Sequence, residues 1–388
     1  MEMNTIRWNF RLLRTSLLAM LAMGYASVAW GASLTENSWN PRAAADYLDQ
    51  RARWWILWPD AARDQGTFCV SCHTVLPYAL SRPVLGRMLG EGGPVAGERQ
   101  ILESVRKRVR LWNEFKPFYS SSDGVKNRQS RGTESILNAL ILASVDARSG
   151  RLTDDTRIAF RNMWALQEIS GIERGAWPWL NFGNEPFEAT DSRFYGACLA
   201  AVAIGTAPQS FSDSAGIQER VKALTHFLNS EYTLQALINQ ITLLWASAKL
   251  PGLLGEKQRA SLEGTVLGNQ RADGGWSLSS LAWTWRGSEP KSLLKLWFRS
   301  EDNLLEAKSD GYATGLIALA LEQTGFPRNA LRLQRAMWWL RHNQSQSDGR
   351  WPGYSLNHPR IPAEPVGLFM SDAATAYAVL ALAYDQGR

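Results

Sequence analysis

Apolar positions recur with a helical period along nearly the whole chain, and an alternating strand pattern is almost absent. One type of predicted helix is rich in small residues and apolar around nearly its whole circumference, which is typical of helices that lie inside a protein. This type recurs six times, about 60 residues apart, with starts at His73, Thr133, Thr190, Ile238, Ser309 and Ser371. Four of these helices open with a Ser or Thr followed by an acid, a pair that favours a helix N-terminus.

The second type of predicted helix is amphipathic and alternates with the first. It covers residues 43–58, 98–115, 154–167, 217–228, 256–267 and 329–342. Alternating inner and outer helices predict hairpins that must stack on their neighbours, and closing the stack into a ring removes its exposed ends. The sequence therefore predicts an all-α protein, a single domain over 32–388 that forms a closed α/α toroid of six helical hairpins, an (α/α)6 barrel. An open helical solenoid is the alternative.

The turns after three outer helices share a second signature. Residues 270–276 read Q-x3-G-x-W, and longer versions occupy 344–351 and 167–177. We expect the Gln to bond free carbonyls of the preceding helix, the Gly to permit the turn and the Trp to cover the joint. These residues resemble the QW repeats of the squalene–hopene cyclase and prenyltransferase superfamily, and the resemblance covers nearly the whole mature chain.

The resemblance implies a toroid whose central cavity handles isoprenoid chains, but it carries no catalytic residue over. The D-x-D-D-T acid motif of the cyclases corresponds here to Ser371-Asp372-Ala373-Ala374-Thr375, which lacks the proton donor. The zinc-binding Asp and Cys of protein prenyltransferases have counterparts in Asp191 and Cys198, without a matching His downstream. Catalytic residues are therefore unassigned by sequence.

The N-terminus has the pattern of a secretory signal peptide, predicted to span 1–31. Three arginines, at positions 7, 11 and 14, precede an apolar run over 15–29, and small residues follow at the spacing of a cleavage site after Ala29 or Gly31. The run is short of the roughly 20 residues that span a bilayer, so a retained membrane anchor is the alternative. No later segment is expected to reach spanning length. The mature protein is predicted to be exported, to the periplasm in a Gram-negative cell.

Composition and charge exclude several other classes. The chain has 388 residues, of which 45% are apolar, and a formal net charge of +6 that is spread along the sequence. A disordered chain is excluded, and a nucleic-acid partner is not predicted. Three cysteines are too few for a disulfide scaffold. The most basic stretch, residues 106–110, is predicted to be either a solvated helix face or a clamp for an anionic group.

Cys69, Cys72 and His73 form a C-x-x-C-H motif, the main chemical signal of the sequence. Two thiols at this spacing can add to both vinyl groups of one haem, and the adjacent His then reaches the iron. The motif resembles a cytochrome c attachment site, and the export signal agrees with it because haem c is attached outside the cytoplasm. A Cys69–Cys72 disulfide, a zinc site and a redox-active thiol pair are the alternatives.

A second iron ligand follows from the predicted ring. All inner helices of such a toroid run in the same direction, so their N-termini share one rim, and the first and last inner helices are neighbours. His73 precedes the first of them and Met370 precedes the last, so the two are expected to face each other across one seam. Simple packing of Met370 is an equal alternative. Met88 and His358 are further candidates for the ligand.

The sequence thus predicts an exported α/α toroid that carries a covalent c-type haem and acts in electron transfer or haem-dependent redox chemistry, with a redox partner protein. The alternative is a haem-free terpenoid cyclase- or prenyltransferase-like enzyme, or a protein that binds a hydrophobic small molecule in the central cavity, with Cys69 and Cys72 in a disulfide. Whether the protein is an enzyme stays open.

Overall fold

The computed structural model describes residues 39–120, 122–208, 211, 215–282, 308–357, 360–361 and 364–386. The predicted signal peptide over 1–31 and the candidate ligand His358 lie outside these residues. The described residues belong to one compact unit. The described helices are α1 Pro41–Leu57, α2 Val75–Met88, α3 Ala96–Arg110, α4 Gly124–Ser149, α5 Asp154–Ala165, α6 Ser192–Thr206, α7 Ala215–Glu231, α8 Leu237–Lys249, α9 Glu256–Gly268, α10 Leu278–Leu281, α11 Gly311–Gln323, α12 Leu331–His342 and α13 Phe369–Gln386.

Among the described residues, six inner helices form a closed ring. Helices α2, α4, α6, α8, α11 and α13 each pack on the next, and α13 packs back on α2. The six amphipathic helices lie outside them, with α1, α3, α5, α7, α9 and α12 each packed on an inner helix. The predicted all-α closed toroid of six hairpins is therefore confirmed, and the open solenoid is wrong.

One predicted inner helix starts well before the residue that its apolar pattern indicates. Helix α4 begins at Gly124, with Asp123 as its cap, and not near Thr133. Its first two turns are polar and mostly partly or fully exposed, while residues from Gly132 onward are largely buried. The apolar pattern marks only the part of a helix that lies inside the ring. The polar N-terminal turns of α4 become one wall of a cavity described below.

The tryptophans of the three QW-type turns tie each turn to the outer helix before it. The indole N–H groups of Trp177, Trp276 and Trp351 donate to the carbonyls of Met163, Val266 and Leu340, at 2.7, 2.8 and 2.8 Å. All three rings are fully buried. The expectation that Gln would bond these carbonyls is wrong, because the indole N–H groups of the tryptophans bond them instead.

The glutamines tie each turn to the outer helix that follows. The side-chain amide of Gln270 donates to the carbonyls of Gly274 and Arg332, at 2.8 and 2.7 Å. Gln344 makes the same pair of bonds to Gly349 and to Asn40, the cap of α1, at 2.7 and 3.0 Å. That last bond joins the turn after the last outer helix, α12, to the cap of the first, α1, and closes the outer layer.

Within the described part of the chain, one helix is long and apolar enough to cross a membrane by length and composition alone. It spans Pro365–Gln386 and includes α13, and 67% of its most apolar window is buried inside the protein. The expectation that no later segment reaches spanning length is therefore wrong, because this helix is long enough. Burial on the ring explains the composition, because an inner helix of a toroid is apolar on all sides.

We expect Gly315→Ala to lower the free energy of unfolding by about 1–3 kcal/mol, because a Cβ on Gly315 of α11 would lie 2.6 Å from the backbone nitrogen of Ala378 in α13. Urea denaturation measures this loss. Gly264→Ala in outer helix α9 is the control, since its Cβ meets nothing within 4 Å. The control is expected to gain about 0.5–1 kcal/mol from helix propensity. Equal effects of the two variants would contradict close packing of the inner ring.

Candidate functional site at the ring seam

The C-x-x-C-H loop lies on the rim where inner helices begin, between α1 and α2. Strand β1 (Ala62–Arg63) and strand β2 (Thr67–Phe68) form a short antiparallel hairpin that leads into it. The Ser71 hydroxyl, between the two cysteines, accepts the backbone N–H groups of Thr74 and Val75, at 3.3 and 3.1 Å. These bonds satisfy free amides at the start of α2 and fix the loop.

Two backbone contacts of Cys69 hold the other end of the loop. Its N–H donates to the carbonyl of Ala61 at 2.7 Å, and its carbonyl accepts the indole N–H of Trp55 at 2.8 Å. Trp55 belongs to α1, so the first outer helix positions the first cysteine directly.

The two thiols have different surroundings. Cys69 is partly exposed and borders a cavity, whereas Cys72 is 5% exposed and lies near the inner tyrosines Tyr195, Tyr312 and Tyr377. Burial raises the pKa of both thiols, and that of Cys72 well above its ordinary value. Both are free cysteines in the structure.

These surroundings bear on two of the alternatives. A redox-active pair needs a lowered thiol pKa, and the shift here is in the opposite direction. A zinc site needs further ligands, and the described ranges contain no group of three or more His, Cys, Asp or Glu side chains that could hold a metal ion.

His73 packs against two aromatic rings that also contact each other, with the centroids of Trp55 and Phe369 5.7 Å apart. Its imidazole packs on Phe369 of α13, with ring centroids 4.0 Å apart, and meets the edge of Trp55 at 5.2 Å. The first and last inner helices therefore meet at this residue. Burial, with the nearby charges of Arg51 and Arg360, lowers the pKa of His73 to about 3. The ring is neutral at physiological pH.

A hydrogen-bond chain fixes which nitrogen of His73 carries the proton. Nδ1 lies 2.9 Å from the Thr74 hydroxyl, and that hydroxyl donates to Oδ2 of Asp372 at 2.7 Å. The hydroxyl has one proton and donates it in the hydrogen bond to the carboxylate, so it must accept the bond from His73. We therefore assign Nδ1 of His73 as the donor of the first bond. Nε2 then carries the lone pair of the neutral imidazole.

Asp372 anchors this chain inside the seam. Its carboxylate accepts Nε and Nη2 of Arg51 at 2.6 and 3.0 Å, and the Tyr47 hydroxyl at 2.8 Å, in addition to Thr74. Burial raises the pKa of Asp372, and the Arg51 charge opposes that shift. In the sequence, Asp372 stands out only as part of a segment that matches the cyclase motif incompletely. Its partner Arg51 is 321 residues away, so no local pattern could reveal the pair.

His73 contacts the start of the last inner helix, but the contact shown is with the neighbour of Met370 and not with Met370 itself. The ring that packs on His73 belongs to Phe369, the residue before Met370. Met370 itself is buried at 8% exposure within α13, and its role as an iron ligand stays a prediction. Met88 is the last residue of α2, at the other end of that helix.

The basic stretch 106–110 mainly forms a surface network. Arg106 and Arg110 pair with Asp155 of α5, whereas Arg108 is buried and paired with Glu134 of α4. A clamp made by the whole stretch is therefore wrong. Only Arg108 reaches the cavity beside Cys69, and its charge is already matched.

Glu188 lies opposite the cysteines on the segment between α5 and α6, and sequence reasoning missed it. A β-bridge pairs it with Asn184, and the ring of neighbouring Phe187 packs on Tyr195 and Tyr312, at centroid distances of 5.6 and 5.5 Å. Burial raises the pKa of Glu188 to about 7, with the Lys126 charge opposing it. Its charge acts on both Cys69 and Cys72.

Comparisons with known proteins indicate the fold. No protein-family model and no curated protein matches this chain. Among solved structures, the unsaturated glucuronyl hydrolase of Bacillus sp. GL1, described as responsible for glycosaminoglycan degradation, aligns over 90% of this chain and 97% of its own, with a TM-score of 0.50 and 10% identity. A UGL variant with dGlcA-Glc-Rha-Glc aligns over 89% and 96%, with a TM-score of 0.51 and 11% identity. The chain therefore has the α/α-toroid fold that these proteins share.

Glu188 predicts a pH dependence of stability. Because its pKa is about 7 in the folded protein against 4.5 ordinarily, the folded state holds a proton that the unfolded state loses. Ionisation of Glu188 should therefore lower the free energy of unfolding by about 3 kcal/mol as the pH rises from below 4.5 to above 7, while the lowered pKa of His73 contributes a rise in the opposite direction up to about pH 6.5. Glu188→Gln should remove this part of the slope. Urea denaturation across this pH range measures it, with the exposed Glu114→Gln as control, and an unchanged slope in Glu188→Gln would contradict the buried carboxyl.

Proposed function

We propose that the rim loop carries a c-type haem, attached through Cys69 and Cys72, with His73 as the axial ligand of the iron, and that the protein serves electron transfer or haem-dependent redox chemistry in an exported compartment. The observation that carries the proposal is the hydrogen-bond chain from Asp372 through Thr74 to His73. It holds a neutral imidazole with Nε2 unprotonated, which is the form that binds iron.

The hydrogen bonds from His73 through Thr74 to Asp372 resemble those that orient a metal-binding histidine. Metal-binding histidines usually donate their second N–H toward a carboxylate, carbonyl or water, which fixes the ring and raises its basicity. Here the carboxylate acts through one hydroxyl. Arg51 and Tyr47 hold the carboxylate in turn, so the orientation of His73 depends on three helices.

The aromatic residues around the loop restrict the imidazole and exclude water from it. Trp55 and Phe369 pack against His73 and against each other. Trp54 and Trp58 extend this cluster, with ring centroids 4.9 Å apart. A bound haem would supply one-electron chemistry, and apolar surroundings of this kind tune its potential. The C-x-x-C spacing and the free thiols provide the two attachment points.

The alternative of a haem-free toroid with a hydrophobic ligand in its central cavity has less support. Near Cys72 the aromatic side chains of inner helices pack together, since Tyr312 contacts Tyr377 and Phe187 at centroid distances of 5.4 and 5.5 Å. Side chains of all six inner helices line a cavity towards the C-terminal ends of those helices, but its volume of about 190 Å³ is below the roughly 300–1,000 Å³ of typical ligand pockets. A redox partner protein and export to the periplasm remain parts of the proposal. A haem site at the rim of the ring agrees with a redox partner, and export agrees with the attachment of haem c outside the cytoplasm.

Mass spectrometry of the exported protein tests the attachment. The peptide with Cys69 and Cys72 should carry one covalent haem when the protein is made in cells with working haem-c maturation. Cys69→Ala and Cys72→Ala should each reduce this adduct, because each removes one thioether. Cys198→Ala is the matched control, since Cys198 is buried within α6 and should leave the adduct intact. An unmodified or disulfide-bonded peptide would contradict the proposal.

The second ligand is tested in the haem-loaded protein. We propose Met370 because it lies next to Phe369, which packs on His73. Met370→Ala should lower the reduction potential and alter the long-wavelength absorption, because Met opposite His raises the potential. Met88→Ala, at the other end of α2, is the control. A spectrum and potential unchanged in Met370→Ala would eliminate Met370 as a ligand.

A further inference from the structure

A cavity of about 330 Å³ lies beside Cys69, and its charges are unbalanced. One wall is the β1–β2 hairpin with Arg63 and Asp64, and the opposite wall is the polar N-terminal part of α4 with Arg131 and Glu134. Arg108 and Lys116 also line it. Four cationic side chains therefore face two carboxylates.

The two carboxylates are already engaged. Glu134 forms a two-pronged ion pair with Arg108, with Nη2 at 2.8 Å from Oε2, and the remaining Arg108 nitrogen donates to Thr67 at 2.7 Å. Asp64 accepts the backbone N–H groups of Gln65 and Lys116, at 2.8 and 3.2 Å. Neither carboxylate forms an ion pair with Arg63 or Arg131.

Arg63 and Arg131 have no ion-pair partner among the described residues. Arg63 donates to the carbonyls of Asp60 and Ala62, at 3.0 and 2.8 Å, and lies over the ring of Phe118 at 3.4 Å. Arg131 donates to the carbonyl of Trp112 and lies over that ring at 3.6 Å. Each guanidinium is held in place by an aromatic face and keeps further N–H donors for an acceptor in the cavity.

Arg131 is also partly removed from water. Burial lowers its pKa, and the nearby Arg108 charge adds to that shift while Glu134 opposes it. A desolvated cation without a counter-ion is costly, and an anion in the cavity would relieve this cost. A carboxylate fits best, because a guanidinium presents paired N–H groups that match its two oxygens.

We propose that this cavity is a carboxylate-binding site in which Arg63 and Arg131 bind the anion from opposite walls. The carboxylate belongs either to a propionate of a haem attached at Cys69, in which case the inference rests on the proposed function, or to a free small carboxylic acid. Cavities of this volume accommodate small molecules. Asn127 and Ser130 on α4 supply further polar groups along the wall.

The test compares Arg63→Gln and Arg131→Gln with Arg128→Gln. Arg128 lies on the same helix, is exposed, and pairs with Glu168 at 2.9 Å outside the cavity. In the first arm, the reduction potential of the haem-loaded protein is measured. A propionate source predicts a lower potential in the two cavity variants alone, because the cations stabilise the more negative reduced haem.

In the second arm, succinate, benzoate and glucuronate are titrated by calorimetry into haem-free Cys69→Ala/Cys72→Ala protein, or into the wild type if that carries no haem. A free-acid source predicts binding that Arg131→Gln weakens about tenfold or more and Arg128→Gln leaves unchanged. This arm holds even if the haem proposal fails. The inference is overturned if neither potential nor carboxylate binding distinguishes the cavity variants from Arg128→Gln. If the haem-free variant does not fold, the first arm decides.

Discussion

The buried ion pair between Arg51 and Asp372 is the interaction on which the rest of the site depends. Its side chains are 5% and 1% exposed, and it joins the first outer helix to the last inner helix. Removing one partner of such a pair typically costs about 3–5 kcal/mol, because the other charge is left buried and unmatched. Asp372 also accepts the Thr74 hydroxyl at the start of α2. One carboxylate thus holds the three elements that meet where the ring closes.

The seam of the ring and its candidate chemistry coincide for a topological reason. A closed ring must join its first and last inner helices, and the loop that precedes the first helix has to cross that joint. Here the loop contains Cys69, Cys72 and His73, and the joint supplies Phe369 and Asp372. The bond from Gln344 to the α1 cap at Asn40 closes the outer layer near the same place. The fold therefore gives the loop a rigid support on both sides.

Much of the fold could be predicted because the inner and outer helices differ in apolar pattern, and six of each were enough to indicate a ring. The apolar pattern did not predict helical residues that lie outside the buried part of the ring. It missed the first two turns of α4, which are polar, and with them the cavity wall at Arg131. The segment with Glu188 could not be predicted either, since its position depends on packing of Phe187 into the axis.

The sequence predicted only those features of the site that depend on neighbouring residues or on the order of the helices. The C-x-x-C-H motif is contiguous, and the meeting of His73 with the start of α13 follows from topology. The support of His73 does not, because Arg51 and Asp372 lie 321 residues apart and Thr74 gains its role only from both. Similarly, topology indicated Met370, while the orientation of one helical turn placed Phe369 on the imidazole.

The visible spectrum of the purified exported protein tests the central claim most directly. The account predicts one haem per chain whose absorption stays with the polypeptide after extraction with acidified acetone, and whose alkaline pyridine spectrum is that of a haem with both vinyl groups converted to thioethers. A c-type cytochrome matured in the same cells is the control. A colourless protein from cells in which that control is loaded, or a haem that is extracted, would contradict it.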